Sequence, residues 1–176
     1  MKKCKSEAGK VFMSAWNADL YDSKHDFVSE YGKGLLEFVP ENKNQSILDL
    51  GCGTGTLTAQ LSNLADTVIG VDSSASMIAK AKEQYANIQF MVCDALALPF
   101  EEQFDVVFSN AVFHWITDHN ALLNNIHKVL KPGGLLVCEF GANGNISTIE
   151  NGIKPKIWQE IIIKPIPQMQ QKKKKF

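Results

Sequence analysis

The chain has 176 residues, 45% hydrophobic and 21% charged, which fits one folded domain with a core of its own. No apolar run reaches the roughly 20 residues of a membrane span, and the basic residues 1–10 have no apolar segment behind them of the kind a leader needs, so a cytoplasmic protein with no membrane partner is expected. The net charge of −1 hides a division: residues 1–150 hold 11 Lys against 18 Asp and Glu, residues 151–176 hold 7 Lys against 1 Glu, and an acidic body argues against nucleic acid as a partner.

In chain order, Val11, Phe12, Ala15, Trp16 and Leu20 recur at helical spacing, as do Phe27, Val28, Tyr31, Leu35, Phe38 and Val39. Two N-terminal helices are expected, the second ended by Pro40 and the polar run Glu41 to Gln45. From Ser46 short apolar runs alternate with helical segments. SILDLG reads as a strand, with Leu57, Leu61 and Leu64 on the helix after it. TVIGVD is a second strand, followed by a helix carrying Met77, Ile78, Ala81 and Tyr85 behind Ser73 or Ser74 as cap. IQFMVCDA and FDVVFSNAV are the third and fourth strands. A helix from about Thr117 or Asp118 shows Leu122, Leu123, Ile126, Val129 and Leu130, KPGG stops it, and LLVCEFG is the fifth strand. Apolar strands alternating with helices imply a parallel sheet covered on both faces, and right-handed crossovers make it doubly wound and Rossmann-like. After Gly141 the signal fades. Residues 153–176 carry three prolines and end in four lysines before Phe176, and a poorly ordered basic tail is expected there.

The four cysteines lie more than forty residues apart with no CxxC pair, so buried thiols are expected and no metal site. The informative stretch is ILDLGCGTGTL, Ile47 to Leu57, where a strand runs into Gly51, Gly53 and Gly55. In a doubly wound sheet ligands bind beyond the carboxyl ends of the strands, where the winding reverses, and this loop sits there. A P-loop would need a Lys that the loop lacks. The dinucleotide pattern GxGxxG would need a glycine where Thr56 stands. An acid remains at the end of the second strand: Asp72, 21 residues past Gly51, placed to accept from ribose hydroxyls. A ribose is expected, and a pyrophosphate is poorly supported. The chain has no arginine, so an anion would have to be held by Lys, His or backbone N–H groups.

In order, LDLGCGTG, VIGVDSSASMI, VCDALALPF, FDVVFSNAVFHWI and VLKPGGLLVCEFG resemble the successive motifs of class I methyltransferases that use S-adenosylmethionine. WNADLYDSKHDFVSEYG resembles the small-molecule branch of trans-aconitate methyltransferase-like proteins. The resemblance covers about residues 11–150. It implies that Asp49 and the backbone of Gly51, Cys52 and Gly53 face the amino-acid end of the cofactor. Asp72, with Ser73 beside it, would hold the ribose. Met77 would pack on the adenine, Asp94 would accept from the adenine amino group with Ala95 alongside, and Asn110 would lie near the sulfonium. His114, in NAVFHW, is the candidate base, with packing or capping as its other role. Tyr21, His25, Phe27 and Trp115 are the candidate lid and acceptor residues; His119 and His127 read as helix surface.

The implied function is methyl transfer to oxygen or carbon of a small acceptor such as an organic acid or lipid-like metabolite. Two other readings stay open: an NAD(P)-linked reductase, disfavoured by the displaced glycine and the lack of a YxxxK pair, and a truncated, inactive methyltransferase that still binds cofactor. The family sheet has seven strands, and five are visible here. The expectation is therefore residues 1–152 as a methyltransferase domain, with lid helices over 10–39 and a cofactor core over 46–141. Its sheet would be incomplete, ordered 3-2-1-4-5. The tail from about residue 153 would be truncated or frame-shifted, leaving the fifth strand as an apolar edge that favours self-association.

Overall fold

A computed structural model describes residues 34–140 and 161–162. The expected first helix, most of the second, and the candidate residues Tyr21, His25 and Phe27 lie outside the described residues.

Five parallel strands form the sheet: β1 (Ser46–Leu50), β2 (Thr67–Asp72), β3 (Gln89–Val92), β4 (Phe104–Asn110) and β5 (Leu130–Glu139). They stand in the expected order β3-β2-β1-β4-β5. Between them run α1 (Thr56–Leu61), α2 (Ala75–Gln84) and α3 (His119–Val129). Side chains alternate across each strand, and the core divides accordingly. On one face Ile47, Val68, Val106, Phe108 and Val137 pack with Leu61 of α1 and with Leu35 and Val39, which flank the end of a helix covering 34–36. On the other, Leu48, Leu50, Val71, Val107 and Leu136 pack with Leu122, Leu123, Ile126 and Val129 of α3. The caps follow their chemistry: the Met77 N–H donates to the Ser74 hydroxyl, and the Ala121 N–H to the Asp118 carboxylate.

Two features depart from expectation at the fifth strand. KPGG was expected to stop a helix and precede the strand, whereas β5 begins at Leu130, directly after α3. Leu130 already pairs with Phe104, and the register then shifts before Val106 meets Leu135. Gly133, at φ 79°, supplies the left-handed residue this irregularity needs. The second departure is β6 (Ile161–Ile162), which pairs parallel to β5 with Leu136 opposite Ile161 and Val137 opposite Ile162. The expected bare edge of the fifth strand is therefore covered over those two residues. A run of isoleucines has high strand preference, and an unpaired row of backbone groups is a template for it.

Candidate cofactor site

The turn after β1 is shaped by contacts on both sides. The Gly51 and Cys52 N–H groups both donate to the Val71 carbonyl, at 2.8 and 3.0 Å, and the Gly53 N–H donates to Asp72 Oδ2 at 3.0 Å. Gly51 has φ 79°, and a Cβ there would lie 2.1 Å from a methyl of Val112. Any larger residue here would have to displace Val112, just past the end of β4. Gly53, at φ 55°, faces open space. Three successive N–H groups are thus engaged within the fold. They are not free to grip a pyrophosphate, which weighs against the dinucleotide reading.

Two carboxylates flank this turn. Asp49 is 2% exposed, and its Oδ2 accepts from the Thr58 hydroxyl of α1 at 2.6 Å. Burial pushes its pKa up to about 7, with Thr58 opposing and the charge of Asp72 adding to the rise. Asp72, at the end of β2, accepts from Gly53 N–H and, at 2.8 Å, from Ser74 N–H. Burial raises its pKa too, although both amides pull it down. Among the described residues no cation pairs with either acid. Uncompensated buried carboxylates are costly, and a cationic ligand would relieve that cost. Cys52 lies between them, its thiol held protonated by burial and by both acids, so it is inert here.

Register places the other candidates. Asp49 stands opposite Gly70 of β2 and Phe108 of β4. At the carboxyl ends of the strands come Asp72 at the end of β2, Gly51 just after β1, and Asn110 and Glu139 at the ends of β4 and β5, the last two paired directly. Asn110 is followed by Ala111 at φ 59°, a non-glycine residue in the left-handed region, where such strain tends to gather at functional sites. Asp94, just past β3, is exposed and orders its own turn by accepting from Leu96 N–H at 2.9 Å, with half-buried Ala95 beside it. Ser73 is exposed. Met77 is only 4% exposed, a buried wall at the start of α2 rather than an open shelf.

His114 lies in a short 3-10 turn, Phe113–Trp115, beyond β4. Burial lowers its pKa, favouring the neutral ring, and its Nδ1 is buried with no hydrogen-bond partner among the described groups. Trp115 is 60% exposed, its ring centroid 4.8 Å from that of His114. His119 is half-buried rather than at the surface, its Nε2 3.1 Å from the Phe113 carbonyl. Among the described residues no three His, Cys, Asp or Glu are placed to hold a metal ion, and no helix is long and apolar enough to cross a membrane. Sequence reasoning missed Thr58, Ser109, whose buried hydroxyl donates to the Leu50 carbonyl at 2.9 Å, and Glu139.

Fold and site define a doubly wound α/β domain that offers carboxylates, not phosphate-binding amides, at its switch point. Comparison with known proteins gives the family: residues 48–138 match the methyltransferase domain. The chain belongs to that family, within the class I S-adenosylmethionine-dependent methyltransferases. It is 40% identical over 131 residues to trans-aconitate 2-methyltransferase of Deinococcus radiodurans, covering 73% of this chain and 50% of that protein. A TehB-like S-adenosylmethionine-dependent methyltransferase from Corynebacterium glutamicum superposes with a TM-score of 0.64 at 25% identity, covering 77% of this chain and 80% of that one. Haemonchus contortus phosphoethanolamine N-methyltransferase 2, solved with S-adenosylmethionine, gives 0.58 at 28% identity over 84% and 36%. The chain spans about half the length of the curated relatives it matches.

Proposed function

We propose that this chain binds S-adenosylmethionine across the ends of β1 to β4 and presents it to a small-molecule methyl acceptor. The observation that carries this is the pair Asp49, buried, and Asp72, half-buried, two acids with no counter-cation among the described residues, on either side of a turn whose amides are engaged. The cofactor, when bound, supplies a methyl group on a sulfonium that is already strongly electrophilic. Asp49 and the backbone at Gly51 to Gly53 would hold its cationic amino-acid end. The lone pairs of Asp72 not taken by Gly53 and Ser74 would accept from the ribose hydroxyls. Asp94, Ala95 and Met77 would bound the adenine, with Ser73 at the ribose edge and Asn110 near the sulfonium.

Catalysis by this chain is then mostly alignment of acceptor, methyl carbon and sulfur. His114, neutral and with an unengaged ring nitrogen, would take the proton of an acceptor that carries one. Trp115, with Tyr21, His25 and Phe27, would wall the acceptor. The acceptors in the names of the relatives, trans-aconitate and phosphoethanolamine, support a small molecule. Calorimetry tests the reading: S-adenosylmethionine and its demethylated product should both bind and NADH should not. Binding of NADH alone would overturn it.

A further inference from the structure

We infer that Glu139 is a specificity-determining residue of the acceptor side: its carboxylate selects a methyl acceptor that offers a hydrogen-bond donor, a hydroxyl or an amine, over one that offers a carboxylate. The inference rests on the cofactor reading above and adds which acceptor group the site takes.

Its first support is position. Asp72 ends β2, Gly51 follows β1, and Asn110 and Glu139 lie opposite one another at the ends of β4 and β5, so the four stand at the carboxyl ends of adjacent strands. Neighbouring strands lie about 4.8 Å apart. Glu139 is therefore one strand from Asn110, two from Gly51 and three from Asp72. With the ribose at Asp72 and the sulfonium between Gly51 and Asn110, Glu139 stands beyond the methyl group, on the side away from the ribose. An acceptor aligned with the methyl–sulfur bond has to enter from somewhere near it.

The second support is that this part of the backbone is pinned. Ala111 N–H donates to the Glu139 carbonyl at 2.7 Å. Phe140 stacks on Phe113, centroids 5.2 Å apart and planes within 10°, tying the end of β5 to the turn that carries His114. The side chain thus grows from a backbone held to the end of β4 and the turn after it, and Glu139 is half-buried.

Charge is the third. Among the described residues no ion pair joins Glu139, and burial alone raises its pKa, so it wants a donor. An acceptor carboxylate placed here would meet Glu139 with Asp49 and Asp72 in the same edge, and like charges brought together across a binding surface are rejected. The chain has no arginine to offset them. A hydroxyl or an amine meets the opposite situation, with an open acceptor oxygen facing it.

The test uses the full chain saturated with S-adenosylhomocysteine, with ethanolamine and trans-aconitate as probes titrated at constant ionic strength and followed by calorimetry. The wild type should bind ethanolamine at least tenfold more tightly than trans-aconitate. Glu139→Gln should shift that ratio tenfold or more toward trans-aconitate while S-adenosylhomocysteine affinity stays within about twofold. Glu139→Asp, which keeps the charge, should retain the wild-type order. A purely structural role would weaken both probes alike and leave the ratio fixed. An unchanged ratio in Glu139→Gln, a wild type that prefers trans-aconitate, or a wild type that binds neither probe each overturns the inference and leaves cofactor binding standing. Failure of S-adenosylhomocysteine itself to bind removes the cofactor reading and this inference with it.

Discussion

The two ends of the same strands treat their acids in opposite ways. At the amino end, Asp105 of β4 is saturated: one carboxylate oxygen accepts from Ser46 N–H and hydroxyl on β1 and from the Lys131 ammonium on β5, each at 2.8 Å. Partial burial would raise its pKa, yet these donors hold it below the ordinary carboxylate value. At the carboxyl end, Asp49 and Asp72 have only neutral donors among the described residues, and burial pushes both upward. One end is electrostatically closed and joins three strands. The other keeps charge uncompensated and backbone in the left-handed region at Gly51, Gly53 and Ala111. With the cofactor site proposed at the carboxyl edge, stability and function divide between opposite edges of one sheet, and each prediction below probes that division.

The largest effect is expected at Asp49. Its folded pKa of about 7 lies roughly three units above the unfolded carboxylate value, worth about 4 kcal/mol at ~1.4 kcal/mol per unit. The sign follows from proton binding. The folded state holds the extra proton between about pH 4 and 7, so stability without ligand falls as pH rises through that window. Asp49→Asn removes the penalty. Chemical denaturation at pH 8 should show the variant more stable by up to about 4 kcal/mol, the gain vanishing near pH 4. Cofactor affinity should move the other way, weaker in the variant. Wild-type affinity should rise from pH 5 to 8, with proton release seen as a dependence on buffer ionisation enthalpy. A variant less stable than wild type at pH 8 would break the comparison at its strongest point.

Gly51→Ala comes next. A left-handed backbone costs an ordinary residue about 1–2 kcal/mol, and the added methyl would strike Val112, an overpacking cost of ~1–3 kcal/mol. A loss of about 2–4 kcal/mol is expected by denaturation. Adding Val112→Ala should recover the steric part and leave the backbone part. At Asp72, Asp72→Ala should weaken cofactor binding by about 1.5–3 kcal/mol, the range for hydrogen bonds to a charged group. Unchanged affinity in calorimetry would remove Asp72 from the ribose site.

Much of the closed architecture was legible because strand burial leaves continuous apolar runs. Asp49 was legible as an acid inside such a run, and Asp72 as an acid ending one. Glu139 ends an apolar run in the same way, so that signal was present and went unused. Thr58 and Ser109 gave none, since hydroxyls nine residues from Asp49 and 59 from Leu50 meet their partners only once the turn and the β1–β4 pairing exist. KPGG hid the start of β5 because proline and glycines read locally as a stop, while pairing with Phe104 is a long-range effect. Composition hid β6: two isoleucines among prolines and lysines count for little until an open edge is beside them.

The smallest effect tests the quiet end. Lys131 and Asp105 are each about two-fifths exposed, at 41% and 37% of their side-chain surface, so solvent screens the pair, and such exposed pairs contribute about 0–1 kcal/mol. Lys131→Met should therefore cost less than about 1 kcal/mol at neutral pH. Asp105 has a lowered folded pKa, so its contribution is present above the unfolded carboxylate value and is lost as pH falls through the folded one. The difference between wild type and Lys131→Met should shrink toward zero as acid protonates Asp105; Asp105 thus adds to wild-type stability as pH rises, whereas ionisation of Asp49 subtracts from it. Added salt should shrink the Lys131→Met difference too. Cofactor affinity should not respond, because Lys131 lies at the far edge of the sheet from Asp72. A Lys131→Met variant with weakened cofactor binding and unaltered stability would show that the two edges are coupled, and the division of labour between them would have to be abandoned.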